Sequence, residues 1–203
     1  MYTMVFPLNH PGPIPGGPFT LSGSLLLKGM INRKDKWEGD FYMQTNNRVT
    51  DAVRDEVRSA IEDRALWLYL IVRELSESGK IEKLPEIERA IFEFGRLKGI
   101  AMPSTDSAGE WARNLISPVG EKVFEQKLVK ADDDEAIIEF SYCPLVESWR
   151  KAGASGEETA SLCRIAKCGD HGRISPFPLE LTFEKLLADG DDVCRLVISR
   201  KLI

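Results

Sequence analysis

The sequence predicts an α+β fold, with an N-terminal helical layer packed on an antiparallel sheet of two hairpins and two short helices between the hairpins. Three observations predict it. Helical spacing of apolar residues dominates residues 50–118. The period then changes to strand-like alternation around two turn signals, Asp132-Asp133-Asp134 and Asp189-Gly190. Strands do not alternate one-for-one with long helices, which argues against a doubly wound sheet, and no GxGxxG, GxxxxGK[ST] or GxSxG motif occurs.

The elements follow in order. Residues 1–49 are expected to be an arm and an irregular segment, because five prolines and three glycines fall between Pro7 and Pro18. Within it, Leu25-Leu26-Leu27 fits either a buried helical turn or a short strand. Residues 50–203 are expected to form one α+β domain, helical over 50–118 and cysteine-containing over 119–203. Thr50 or Asp51 caps a helix that runs to about Ser78, with Gly79 just past its end. Val53, Val57, Ile61 and Leu68 keep its period, and Ala65 to Val72 is apolar on nearly all sides, as in a core helix or one at a subunit interface. A second helix starts at Pro85 and stops before Gly99, with Ile87, Ile91, Phe94 and Leu97 as its inward stripe. A third begins with the Ser107-x-x-Glu110 capping pattern and ends before Pro118. Residues 123–129 and 136–142 read as strands, 144–152 and 156–168 as short helices, and 179–187 and 193–200 as strands. Trp67, Trp111 and Trp149 are expected in the core or at an interface.

Composition narrows the function classes. The chain has 203 residues, 27 Lys and Arg against 32 Asp and Glu, and a formal charge of −5. At 43% hydrophobic and 29% charged it reads as a globular protein. No Lys/Arg block supplies the positive footprint of nucleic-acid binding, and no apolar run approaches a membrane span. The N-terminus carries no positive charge before its first prolines, unlike a secretory signal, so a cytoplasmic location is expected. There are 2 histidines, His10 and His171, too few for a His-rich zinc centre. All 4 cysteines, Cys143, Cys163, Cys168 and Cys194, lie after residue 142, and in a chain of this kind they are reactive, ligating or buried thiols rather than disulfides.

Those cysteines fall where elements start or stop. Cys143 sits before Pro144 at a strand-to-helix junction, where a helix N-terminus lowers a thiol pKa. It reads equally well as a nucleophile or as a small buried apolar residue. Cys163 lies inside a helix and is expected in the core or against a ligand. Cys194 shares a strand face with Leu196 and Ile198. Gly169-Asp170-His171-Gly172 suggests an acid/base pair whose glycines let backbone approach a ligand, or else a polar loop after a helix. Asp191 suits an orienting or water-activating carboxylate as well as an ordinary turn residue, and Asp192 a turn. Glu147 either caps the helix after Cys143 or faces a pocket.

Cys-Pro-Leu-Val-Glu-Ser-Trp at 143–149, Leu-Cys-Arg-Ile-Ala at 162–166, Gly-Asp-His-Gly at 169–172 and Gly-Asp-Asp-Val-Cys at 190–194 together resemble the L-2-amino-thiazoline-4-carboxylic acid hydrolase family over about residues 120–200. One departure stands out: many members read Cys-x-x-Asp at the second block, where this chain has Cys163-Arg164-Ile165-Ala166. The resemblance implies a hydrolase that opens a C–N bond of a small cyclic amidine or amide, the named activity turning a thiazoline ring into N-carbamoyl-cysteine. On that reading Cys143 is the nucleophile or a ligand contact, and His171 is general base and acid with Asp170 or Asp191 orienting it. Arg164 or Arg173 would hold a substrate carboxylate by paired donors. Cys163, Cys194 and Glu147 would complete the substrate site.

The alternative is a non-catalytic small-molecule-binding or sensor domain of the 4-vinyl reductase-like type, similar in the strand after Gly190 to Cys194. No cofactor is expected. Zinc held by Cys143, Cys163, Cys194 and His171 is the lesser alternative, since the spacings are not those of CxxC knuckles. The expected partners are a small molecule and a second copy in a homodimer, with neither nucleic acid nor membrane.

Overall fold

The computed structural model describes residues 49–80 and 83–201. The Pro/Gly arm and the ambiguous segment after it lie outside the described residues. In chain order the elements are α1 (Asp51–Glu77), α2 (Leu84–Ile100), α3 (Ala108–Leu115), α4 (Pro118–Phe124), β1 (Gln126–Ala131), β2 (Glu135–Phe140), α5 (Pro144–Lys151), α6 (Gly156–Ala166), α7 (Cys168–Ile174), β3 (Leu179–Lys185), a 3-10 turn (Leu187–Asp189) and β4 (Cys194–Arg200). This is an α+β fold. The two hairpins join into one antiparallel sheet of order β1-β2-β4-β3, because β2 pairs with β4 from Glu135 opposite Ser199 to Phe140 opposite Cys194.

Local chemistry explains the ends of the elements. Thr50 Oγ1 accepts the Val53 N–H at 3.3 Å and starts α1 as expected. Ser107 Oγ accepts the Glu110 N–H at 3.2 Å, but Glu110 turns its carboxylate to Thr105 Oγ1 at 2.6 Å, so only half of that capping pattern forms. The complete box is at α6, where Ser155 and Glu158 bond one another's amides at 3.2 and 2.7 Å. Short α4 was not expected; Ser117 caps it and Pro118 opens it. The short helix expected over 156–168 ends at Ala166, and after a break at Lys167 Cys168 begins a further helix, α7.

Alternation places Ala136, Ile138, Leu179, Leu181, Cys194, Leu196 and Ile198 on one sheet face, where Ala108, Trp111 and Ala112 of α3 cover them with Ile174 and Phe177. The aspartate turn between β1 and β2 anchors α3. Its carbonyls at Asp133 and Asp132 accept the Ala108 and Gly109 amides at 3.0 and 2.8 Å, satisfying donors that a helix start leaves free. A second core joins Ala65 and Tyr69 of α1, Val146 and Trp149 of α5, Leu162 of α6 and Ala188 of the 3-10 turn. Trp149 Nε1 donates to Ala65 O at 2.8 Å and Ser148 Oγ to Glu62 O at 2.7 Å, so α5 is tied to the α1 backbone.

Helix α2 keeps half of the expected stripe, Ile87 and Ile91, which are half-buried. Phe94 and Leu97 are 50% and 56% exposed, and the buried residues are Gly95 and Gly99. A Cβ on Gly95 would collide with the Gly169 carbonyl, and one on Gly99 with that of Arg173. At these two glycines the helix lays its bare backbone on α7, Ile91 meets Gly169 on the same face, and Phe94 and Leu97 are left exposed. On α1, Trp67 is 72% exposed, in contrast to Trp111 and Trp149.

Thr159 is 2% exposed and its Oγ1 has no hydrogen-bond partner among the described residues. A buried hydroxyl left unpaired costs stability, so Thr159→Val is expected to raise the unfolding free energy by about 1 kcal/mol in chemical denaturation. A loss of stability would show that the hydroxyl is satisfied.

Candidate active site

Pro144 fixes the start of α5 and keeps the residue before it out of helical conformation, so Cys143 sits extended at φ −134° and ψ 109° as the N-cap. Pairing of Phe140 with Cys194 sets the first residue of β4 beside the end of β2, three residues before Cys143. The Cys194 Sγ accepts the Leu187 N–H of the 3-10 turn at 3.3 Å. Cys163 comes from α6, where it packs against both cores, and Asp170 comes from α7. Sheet register and the 3-10 turn thus assemble groups that are far apart in sequence.

These groups act on one another electrostatically. Burial pushes the Cys143 thiol up; the Val146 and Leu145 amides favour the thiolate without making a capping hydrogen bond, and the Asp170 and Glu147 charges oppose it. The helix start does not give the lowered thiol pKa that the sequence suggests, because desolvation outweighs those two amides. Burial, with Cys194 and Cys143 nearby, pushes Cys163 up to about 12. Cys194 is pushed up to about 11, again chiefly by burial, with the Leu187 amide pulling down and Cys143 and Asp170 adding to the rise. Asp170 is pushed up to about 6 by burial and drawn back by the Arg173 guanidinium. Cys143 and Asp170 are both half-buried.

Four of the expected site residues therefore lie within electrostatic reach of one another or of a shared neighbour: Cys143, Cys163, Cys194 and Asp170. His171 does not join them. Neighbouring residues on a helix diverge by about 100°, and its ring lies 5.6 Å from that of Phe183 at 74° while Asp170 turns inward. Burial and Lys167 hold its pKa below the usual histidine value. Gly169 and Gly172 serve the α2 packing rather than the approach of a ligand; a Cβ on Gly172 would meet Phe92 O. Asp191 is exposed and spends Oδ2 on the Leu186 amide at 2.8 Å, closing its own turn, and Asp192 pairs with Lys185 at 2.9 Å. Glu147 forms an ion pair with Arg150 at 3.5 Å within reach of Cys143. Arg164 is exposed and bonds Ser161 Oγ at 2.6 Å, whereas half-buried Arg173 acts on Asp170 and forms no salt bridge among the described residues. Asp189, absent from the expected set, stands near Cys163 and Cys194; its place in the 3-10 turn after β3 was the available signal.

Among the described residues no group of three or more His, Cys, Asp or Glu side chains is arranged to hold a metal ion. His171, the one histidine of the four-ligand zinc set, packs edge-on against Phe183. Among the same residues no helix is long and apolar enough to cross a membrane.

The family model described as L-2-amino-thiazoline-4-carboxylic acid hydrolase matches residues 58–198, a span that takes in the four converging residues and the helices that hold them. No curated protein matches the chain. With most of its length covered by that match, the chain belongs to the L-2-amino-thiazoline-4-carboxylic acid hydrolase family.

Proposed function

We propose that the protein is a hydrolase opening the ring of a small cyclic amidine or amide, with Cys143 as nucleophile and Asp170, in place of His171, as the proton-transferring group. The Asp170 charge is felt at the Cys143 thiol and its carboxyl has a pKa of about 6, and these two facts support this reading. A carboxylate with that value is ionised at neutral pH and basic enough to accept a proton in a transition state. Cys143 Sγ adds to the ring carbon while Asp170 takes the thiol proton, and Asp170 returns it to the ring atom that leaves. Water then attacks the sulfur-bound carbon, giving its proton to Asp170, and the departing Sγ recovers it. In a cyclic amide the ring bond that breaks is C–N. In a 2-aminothiazoline, departure of the ring sulfur as a thiol is what balances to the N-carbamoyl product. Arg173 is the better placed of the two arginines to hold a substrate carboxylate. Exposed Trp67, Leu70 and Ile71 on α1 support the homodimer as part of the same reading.

The raised thiol values favour one second reading, a binding or sensor domain whose cysteines stay protonated and inert. Mass-spectrometric detection of ring opening with L-2-amino-thiazoline-4-carboxylate and a panel of cyclic amides separates the two. Turnover by the wild type is expected, with Cys143→Ser slower by a factor on the order of 10³. Equal rates for both proteins would remove the nucleophile, and silence of the wild type across the panel would favour the binding domain.

A further inference from the structure

We infer that Arg58, Glu125 and Tyr142 form a clamp that positions Cys143; the inference rests on the reading of Cys143 as the residue that meets substrate. Glu125, at φ 53° and ψ 52°, is the one described non-glycine residue with positive φ. Side chains with a Cβ avoid that region unless their surroundings hold them there. Here both carboxylate oxygens are committed: Oε1 accepts Arg58 Nη2 at 3.0 Å, and Oε2 accepts Ser141 Oγ at 2.8 Å. Those bonds, from Ser141 first and then Arg58, hold the Glu125 carboxyl below its ordinary range.

The same guanidinium also binds the end of α4. Its Nε donates to Val123 O at 2.9 Å and its Nη2 to Lys122 O at 3.2 Å, carbonyls that a helix C-terminus leaves unpaired. Its plane lies 3.8 Å from the centre of the Tyr142 ring. The backbone closes the arrangement, with Tyr142 N–H donating to Phe124 O at 3.2 Å and Ser141 N–H to Glu125 O at 3.4 Å. On the other side of the ring system, Tyr142 OH reaches Glu62 Oε1 at 3.4 Å. Ser141 and Tyr142, the two residues before Cys143, are thus held through side chain and backbone alike, and the Arg58 bonds to Glu125 and to the end of α4 fix the groups that hold them. The α5 side is fixed separately, through Ser148 and Trp149 onto α1. The thiol is therefore held from both chain directions. A glycine would end α4 at position 125 without strain, so a glutamate there needs a reason beyond ending the helix, and the grip on residues 141–142 supplies one.

The test uses the full chain with Glu125→Gly, Tyr142→Leu and Tyr142→Phe. Three quantities are measured: melting temperature, the alkylation rate of Cys143 by iodoacetamide relative to Cys168 in the same digest, and kcat with KM. Glu125→Gly relieves the backbone while releasing the clamp. Its melting temperature is expected to stay close to wild type, its Cys143 alkylation to rise several-fold as the thiol becomes solvated, and its kcat to fall on the order of tenfold with KM held. Tyr142→Leu should behave alike, and Tyr142→Phe, which keeps the ring under the guanidinium, should restore wild-type alkylation and kcat. Melting temperatures that fall while Cys143 alkylation and kcat stay at wild type would make the cluster structural only and overturn the inference. If the wild type turns over no substrate, the hydrolase reading fails by itself, and the alkylation rates of the two tyrosine variants still decide whether the clamp holds Cys143.

Discussion

Alanine at Gly95 is expected to cost the fold about 3 kcal/mol, the upper part of the range for overpacking, because the added methyl has nowhere to go. It would meet the carbonyl and Cα of Gly169, main-chain atoms of a helix that is itself held on its far side by β3. A flexible side chain would give way by rotating, whereas two helix backbones must part along their length, and the reciprocal contact of Gly172 with Phe92 O parts with them. Gly156→Ala is the control. That residue sits in the first turn of α6 with open space around the position of a Cβ, so alanine should be neutral or slightly stabilising. Urea denaturation with an unchanged m-value measures both. A Gly95→Ala loss below about 1 kcal/mol would mean that α2 and α7 can slide apart cheaply. The folded fraction of that variant should also turn over substrate more slowly, since α7 carries Asp170.

Gly95 also shows where sequence reasoning stops. Periodicity finds the face that carries large apolar side chains, and on α1 this works in part: Thr50 and Gly79 bracket the helix, and Val57, Ile61 and Leu68 of the expected stripe are half-buried near buried Ala65 and Tyr69, but Val53 is exposed. On α2 the same rule selects Phe94 and Leu97 along with Ile87 and Ile91, but the closest packing is made by the bare backbone at Gly95 and Gly99. Close approach of backbones is a signal of missing volume, which a hydrophobicity pattern does not register. The strand face of Cys194 was legible because alternation is strictly local, and the N-cap position of Cys143 because Pro144 dictates it. Their meeting was not, since it depends on β2 pairing with β4 across three helices, a strand and a turn. The Asp170-His171 dipeptide misled for a simpler reason: read as a loop, its side chains can cooperate, but in α7 they diverge. Arg58 carried no signal, because its role depends on the end of α4 and on Tyr142, both remote in sequence.

Asp170→Asn is expected to give a protein that is more stable at neutral pH and catalytically impaired. The direction follows from proton linkage. The carboxyl titrates at about 6 in the folded chain against 3.8 for an exposed aspartate, so the native state holds its proton more firmly than the unfolded state does. Stability from this group is complete below pH 3.8 and declines as the pH rises to about 6, above which the charged carboxylate sits in a site that disfavours it. Full burial would make that displacement worth about 3 kcal/mol, and the part of Asp170 that solvent reaches brings it to about 2 kcal/mol. Asparagine has the same shape and no charge to desolvate. Its unfolding free energy should therefore exceed that of wild type by about this amount at pH 7.5 and match it at pH 4, in denaturation curves taken across the range. A wild-type site that keeps a carboxylate at this expense is retaining it for chemistry, and the loss of turnover in the variant is the other half of the same expectation. Equal pH dependence of the two proteins would show that Asp170 is solvated, and with that the proton-transfer role would fall.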